Sequence, residues 1–350
     1  MTCKPVPVQL GPFQLEHPFI LAPMAGITHS PFRRLMRRLK SSMVISELIS
    51  ANGIEYGGAK TLELLRYHEE ERVLGFQIFG EDSERLCQAA QKVEKRGADF
   101  VDLNLGCPVP KVVKKGAGSA LCRDPASLGR ILEKLVKSVK IPVSIKIRAG
   151  WDCNSKNASQ VVQVAAEAGV QWVAIHGRTR AQGYSGLADW DLIGDVKAKS
   201  PIPILGNGDI TTAEIAVQRM RTFGVDAVLI GRGALRNPFI FEQSVSLWSG
   251  EPIGAPPVQR YIELIQEQRA LFQEAFSSRM AMIQARKFLS WYSAGFPGCH
   301  EFRSWLFSTP EPELSSPDQF WDGAVAFFEK NDKVRDLKFM TQPFLMGGHG

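Results

Sequence analysis

Phe100-Val101-Asp102-Leu103-Asn104-Leu105-Gly106-Cys107-Pro108 reads as a buried strand that stops at a thiol. Its run of mostly apolar residues is the pattern of a parallel strand covered on both faces. Gly106 lets the chain turn, and Pro108 prevents the ladder from continuing. In a closed barrel of such strands, the C-terminal strand ends carry the chemistry. Cys107 there has three open roles: nucleophile, proton donor or small buried filler.

Seven similar runs surround it: 19–22, 43–46, 75–79, 143–147, 172–175, 202–205 and 227–230. Amphipathic helical patterns separate them. Asp82-Ser83-Glu84 opens one helix, Asp124-Pro125 another as N-cap and first-turn proline, and Thr211-Thr212-Ala213-Glu214 is a capping-box-like start, while Gly97, Gly169 and Gly224 stand where C-caps belong. Eight strand-then-helix units over about 230 residues predict a (β/α)8 TIM barrel of the α/β class. A doubly wound sheet would need a phosphate loop after its first strand. The nearest glycine pattern, Gly116-Ala117-Gly118, follows no strand and lacks the third glycine of that fingerprint.

Composition changes at Gly250-Glu251-Pro252-Ile253-Gly254-Ala255-Pro256-Pro257. The reading is a barrel domain over 1–250, a small all-helical C-terminal domain over 251–338 and a flexible tail over 339–350. Helices are expected over 258–276, 279–292 and 317–329, with breaks at Pro297-Gly298 and Thr309-Pro310.

The chain has 350 residues, 44% hydrophobic and 22% charged, an ordinary globular balance. No stretch is apolar enough for a membrane span, and Met1 to Gln14 lacks the core of a signal peptide, so a cytoplasmic protein is expected. Six cysteines include no CxxC pair, which argues against a metal or iron–sulfur site and against disulfides. The net charge of +6 favours an anionic partner without identifying it.

Two glycine-rich turns follow the last two strands, Gly206-Asn207-Gly208-Asp209-Ile210 and Gly231-Arg232-Gly233-Ala234. On adjacent barrel strands they make a phosphate site of main-chain N–H groups, with Arg232 adding charge. Alternation in Ser144-Ile145-Lys146-Ile147-Arg148 turns Lys146 and Ser144 to one face, where a buried cation demands a partner or ligand. His176 ends the sixth strand, and Gln77 can both donate and accept toward a heterocycle.

Taken in order, Leu21-Ala22-Pro23-Met24-Ala25-Gly26, Asp102 to Pro108, Gly116 to Leu121, Lys146-Ile147-Arg148, Ile175 to Arg180, Asn207 to Ile210 and Ile230 to Ala234 resemble the tRNA-dihydrouridine synthase family. Ala285-Arg286-Lys287-Phe288-Leu289-Ser290-Trp291-Tyr292 is similar to the helical domain of its bacterial B-type branch. The resemblance implies FMN on the barrel, NADPH as reductant, and reduction of uridine in tRNA to 5,6-dihydrouridine. It implies that Pro23, Met24 and Ala25 line the flavin, that Gln77, Lys146 and His176 touch its ring or ribityl chain, and that Asn207, Gly208, Asp209, Gly231 and Arg232 hold its phosphate end. Cys107 would be the proton donor and Asn104 a uracil contact. The family's usual aspartate after Thr28 is His29 here, and a small residue is common where Arg236 stands; neither is expected to touch the chemistry.

Candidate RNA contacts are Lys111, Lys114, Lys115, Arg178, Arg180, Arg279, Arg286 and Lys287, while Trp291 and Tyr292 are expected in the core. The three lysines beside Cys107 would lower its pKa, which conflicts with an acid's need to hold its proton. A monomer without protein partners is expected. The alternatives left open are an FMN-barrel reductase of a small molecule, dihydrouridine formation in ribosomal RNA, and an RNA-binding protein with an unused flavin site.

Overall fold

In the computed structural model the described residues are 7–308 and 317–331; the tail expected at 339–350 and the break at Thr309-Pro310 lie outside them. A short antiparallel hairpin, β1 (Val8–Leu10) and β2 (Phe13–Leu15), precedes eight parallel strands. These are β3 (Phe19–Leu21), β4 (Val44–Ser50), β5 (Leu74–Phe79), β6 (Phe100–Leu105), β7 (Val143–Arg148), β8 (Val173–His176), β9 (Ile204–Asn207) and β10 (Ala227–Ile230). They close in sequence order, with β10 paired to β3. Each falls on one of the eight predicted runs, so the TIM barrel stands.

Alternation along each strand sorts side chains into two clusters. Phe19, Leu21, Val101, Leu103, Ile145, Ile147 and Ile175 face outward into one core shared with the surrounding helices. Ile20, Ala22, Ile45, Phe100, Ala174, Leu205 and Leu229 fill the barrel interior with Leu10 and Leu15 of the hairpin. Phe13 lies 6.1 Å from Phe100 and 6.2 Å from Trp172, ring to ring. Both partners stand at the N-terminal ends of their strands, so the hairpin plugs that end. Apolar packing therefore closes one end of the barrel, with each buried large side chain contributing about 1.5–3 kcal/mol, and leaves the polar interior positions at the other.

The helix starts follow the sequence. Asp82 accepts from the N–H of Arg85 at 2.9 Å, Asp124 from Ser127 at 3.0 Å and Thr212 from Ile215 at 3.3 Å. Beyond the barrel come four helices, Val258–Ala275, Ser278–Tyr292, Cys299–Ser308 and Pro317–Glu329. The third was not expected; it begins just past the break predicted at Pro297-Gly298. Tyr292 is buried and Trp291 packs 5.5 Å from Phe288, as core residues.

These helices dock on the first barrel helix, Ser30–Arg38. Arg34 pairs with Glu274 at 2.8 Å and Arg38 with Glu267 at 2.7 Å. His29 caps that helix, its Nδ1 accepting from Phe32 N–H at 3.3 Å. Its ring sits 5.2 Å from Phe272, 5.3 Å from Phe276 and 5.7 Å from Phe288. The residue that departs from the family pattern is thus an interface residue between barrel and helices.

Candidate active site

Strand register brings the polar interior residues together. Gln77 is level with Asp102, Asp102 with Ser144, Asn104 with Lys146, Arg148 with His176, and His176 with Asn207. Asp102 accepts from Gln77 Nε2 at 2.6 Å and from Ser144 Oγ at 2.8 Å. Asn104 Nδ2 donates to Gln77 Oε1 at 2.9 Å. The side-chain oxygen of Asn104 accepts the main-chain N–H of Gly106 at 3.2 Å and of Cys107 at 2.8 Å. One connected network therefore runs from β7 through the strand interior to the thiol loop.

Cys107 is half-buried. Its carbonyl accepts from Ser119 Oγ at 3.0 Å. Gly118, at φ +61°, passes so close that an added Cβ would lie 3.2 Å from both the Cβ and the carbonyl oxygen of Cys107. Burial pushes the thiol up from its ordinary pKa, against a Val109 main-chain hydrogen bond and the Arg148 charge. Lys111, Lys114 and Lys115 are exposed, and the cation that acts on the thiol is Arg148. The tension between an acid and its basic loop is resolved in favour of a thiol that keeps its proton.

The Lys146 ammonium makes no hydrogen bond to the described residues, although its main chain pairs with β6 and β8. Burial lowers its pKa from 10.5 to about 8, helped by Arg148 and opposed by Asp102. His176 is held well below its usual range by burial and by the charges of Lys146, Arg148, Arg178 and Arg232, so its imidazole is neutral.

The β9 turn is built around Gly208. Its φ of +123° suits only glycine, and a Cβ there would meet Ala188 at 2.6 Å and His176 at 3.0 Å. The N–H groups of Gly208, Asp209 and Ile210 donate to no acceptor among the described residues. The Asp209 carboxylate is committed elsewhere, to Arg178 at 2.8 Å and the Ala188 N–H at 2.7 Å. Asn207 Nδ2 donates to Leu229 O at 2.8 Å. Across the rim, a Cβ on Gly231 would lie 3.7 Å from Met24 Sδ, so the β10 turn adjoins the β3 loop of Pro23, Met24 and Ala25. Lys146 and the β9 turn both neighbour His176, and a lysine without a hydrogen-bond partner together with unpaired main-chain N–H groups fits an anionic ligand with a phosphate group.

Arg178 is buried, donating also to Ser185 O at 3.2 Å and Gly186 O at 2.6 Å. Arg180 lies over Trp151, 4.6 Å from the ring centroid. Lys287 Nζ donates to Gly26 O at 2.7 Å, tying the helical region to the β3 loop. Arg279 is exposed and Arg286 half-buried on the same helix, Ser278–Tyr292, rather than on the strands.

Four residues of the mouth were not singled out from sequence. Asp102 and Ser144 anchor the network. Arg148 donates to Gly106 O at 2.8 Å, Thr179 O at 3.0 Å and Gly183 O at 2.7 Å, joining the loops after β6 and β8. Tyr184 lies between Arg148 (5.6 Å) and Arg232 (4.7 Å), with its ring 6.3 Å from His176. An isolated aspartate in an apolar strand, and an aromatic in an arginine-rich loop, were the available signals.

A sequence model described as Dihydrouridine synthase (Dus) matches residues 20–322. The chain is 41% identical to tRNA-dihydrouridine synthase B of Pseudomonas aeruginosa over 298 residues, covering 85% of this chain and 90% of that protein. It is 36% identical to tRNA-dihydrouridine synthase B of Xanthomonas campestris pv. campestris over 324 residues, 91% of this chain and 97% of that protein. Among solved structures, histamine dehydrogenase from Rhizobium sp. 4-9 superposes with a TM-score of 0.53 at 11% identity, over 76% of this chain and 50% of that one, a likeness of fold alone. With the family model spanning barrel and helices alike, and relatives this similar over nearly their whole length, the chain belongs to the dihydrouridine synthase family.

Proposed function

We propose that the barrel mouth binds FMN and reduces the C5=C6 bond of uridine in tRNA to 5,6-dihydrouridine, with NADPH as reductant. The observation that carries this is that Asn104 accepts the Cys107 main-chain N–H at 2.8 Å and stands level in register with Lys146, which brings a thiol that keeps its proton and a half-buried cation to one mouth. FMN, when bound, would supply the hydride for C6 of the uracil. Everything else falls to the chain.

Cys107 delivers the proton that C5 needs as charge builds toward C5 and the C4 carbonyl, as a general acid. Asn104 fixes the thiol loop and faces the base. Lys146 would place positive charge beside the flavin ring, with the neutral His176 and Gln77, whose amide is also bonded to Asp102 and Asn104, as its polar neighbours. Pro23, Met24 and Ala25 give the ring a close-fitting wall. Asn207, Gly208, Asp209, Gly231 and Arg232 hold the phosphate end, the first three and Gly231 through turn geometry and main-chain N–H groups. The Asp209 carboxylate serves by fixing Arg178.

A uridine in folded RNA must leave its stack to reach the mouth, so binding rests on backbone charge and shape. Lys111, Lys114, Lys115, Arg180, Arg279, Arg286 and Lys287 supply that charge, and the helical domain after Gly250 extends the surface. Arg178 contributes by position, being buried under the loop after β8. No helix of the described residues is long and apolar enough to cross a membrane; we place the protein in the cytoplasm as a monomer. The test is to map dihydrouridine in tRNA from cells with and without this gene. Loss of dihydrouridine at defined positions, restored by the gene, is the expected result; an unchanged map would sink the reading.

A further inference from the structure

The loops after β6, β7 and β8 meet at one indole on the barrel rim. Trp151 stands three residues past the end of β7 and is half-buried. The Arg123 guanidinium lies 4.7 Å from its ring centroid and the Arg180 guanidinium 4.6 Å. Arg123 ends the 3-10 turn Gly118–Arg123 that packs under Cys107, and Arg180 follows β8 by four residues. The main chain locks the arrangement: Arg180 N–H donates to Gly150 O at 2.8 Å and Ala181 N–H to Trp151 O at 2.9 Å.

Neither arginine has an ion pair among the described residues, and Arg180 Nε is buried without an acceptor. The carboxylates carried by these loops are in use. Asp124 accepts from Ser127 N–H at 3.0 Å, Asp152 from Asn154 N–H at 3.0 Å, and Asp189 pairs with Lys156 at 2.8 Å. Two like charges are thus held over one ring with no ion pair to either among the described residues. A guanidinium held over a ring by cation–π attraction can still donate through its N–H groups to a planar pair of oxygens, the geometry of a phosphate.

We propose that Arg123 and Arg180, seated on Trp151, form a clasp for backbone phosphate on the RNA strand that leads the reacting base into the mouth. Trp151 is the spacer that aims both cations; with guanidinium groups on its ring it is no platform for base stacking. The inference rests on the tRNA reading above and assigns a binding role to Arg123 and Trp151, which that reading does not use.

The experiment measures tRNA binding by the flavin-loaded protein against salt concentration, for wild type, Arg123→Gln, Arg123→Glu, Arg180→Gln, the double Gln variant and Trp151→Leu. Every phosphate that a variant no longer neutralises lowers the slope of log K against log salt by about 1. The single Gln variants are therefore expected to weaken binding roughly tenfold at low salt with slopes lower by about 1. The double variant and Trp151→Leu should lower it by about 2, and Arg123→Glu should bind more weakly than Arg123→Gln. Arg123 is exposed, so its variants report on binding without a folding defect. If wild type binds tRNA and forms dihydrouridine but the arginine variants keep its affinity and slope, the clasp is wrong and the functional reading survives. A weaker Trp151→Leu with an unchanged slope would indicate base stacking and overturn the clasp. A wild type that binds no tRNA overturns both.

Discussion

The side-chain carbonyl of Asn104 accepts the main-chain N–H of Cys107 at 2.8 Å while its amide donates to Gln77 at 2.9 Å. The thiol is therefore positioned by a residue three earlier in the chain, whose own amide is fixed by β5. Asn104→Ala removes this anchor and leaves the thiol chemically intact. A misplacement of about 1 Å costs up to 100-fold in rate. The expected outcome is a fall of roughly that size in single-turnover dihydrouridine formation, with flavin content unchanged; Asn104→Ser, which keeps an acceptor, should recover part of it.

Lys146 is a titrating charge. Its pKa is lowered to about 8, so it is a cation at pH 7 and neutral well above pH 8. The positive charge favours added electrons on a neighbouring ring. Lys146→Met is expected to lower the two-electron midpoint potential of the bound flavin at pH 7 by tens of millivolts, where about 30 mV is a factor of ten in the equilibrium. The difference from wild type should vanish near pH 10, where wild type has lost the same charge. Potentiometric titration at the two pH values checks both statements.

Acid should loosen the joint between barrel and helices. The His29 imidazole is pushed from 6.5 to about 3, first by burial and then by Lys287 and Arg33, with a main-chain hydrogen bond opposing. The folded form thus binds fewer protons than the unfolded chain between pH 6.5 and about 3. Stability is complete above 6.5 and is lost as pH falls through that window, by about 3 kcal/mol at pH 4 from this group. His17, lowered to about 4, acts in the same direction. His29→Asn keeps an N-cap acceptor without titrating. Thermal unfolding from pH 7 to 4 is expected to show a shallower loss of stability for the variant than for wild type.

Arg178 and the lysine cluster should separate cleanly. Arg178 is buried and paired with Asp209, and removing one partner of such a pair costs about 3–5 kcal/mol. Arg178→Ala is expected to lower the melting temperature. Replacing Lys111, Lys114 and Lys115 together by Ala leaves the melting temperature unchanged. It instead reduces the salt slope of tRNA binding by about 2 to 3, because those side chains are exposed. Calorimetry and salt-dependent binding on both variants decide the assignment.

The barrel was legible because a buried parallel strand leaves a continuous apolar run, and eight such runs separated by helical patterns admit few folds. Lys146 was legible because alternation sets it on one face with Ser144, His176 because it ends a strand, and Asn104 only through the family resemblance. The hairpin at Val8–Leu15 escaped notice because three-residue strands have too short a pattern to read. Arg178 and Asp209 were read as ligand contacts from their place after strand ends; the structure shows that each has the other as its partner. Tyr184 and Trp151 owe their significance to arginines from distant loops, a relation visible only once the loops are in place. For His29, its difference from the family pattern was visible, but its aromatic surroundings come from a helix more than two hundred residues away.

In the proposed reaction Cys107 is the acid that protonates C5. The most direct test of that role is single-turnover reduction of unmodified tRNA by the pre-reduced protein, comparing wild type with Cys107→Ala and quantifying dihydrouridine. A loss of about 100-fold to 10,000-fold is expected, the range for removing a general acid, with unaltered flavin content and tRNA affinity. An undiminished rate in Cys107→Ala would contradict it.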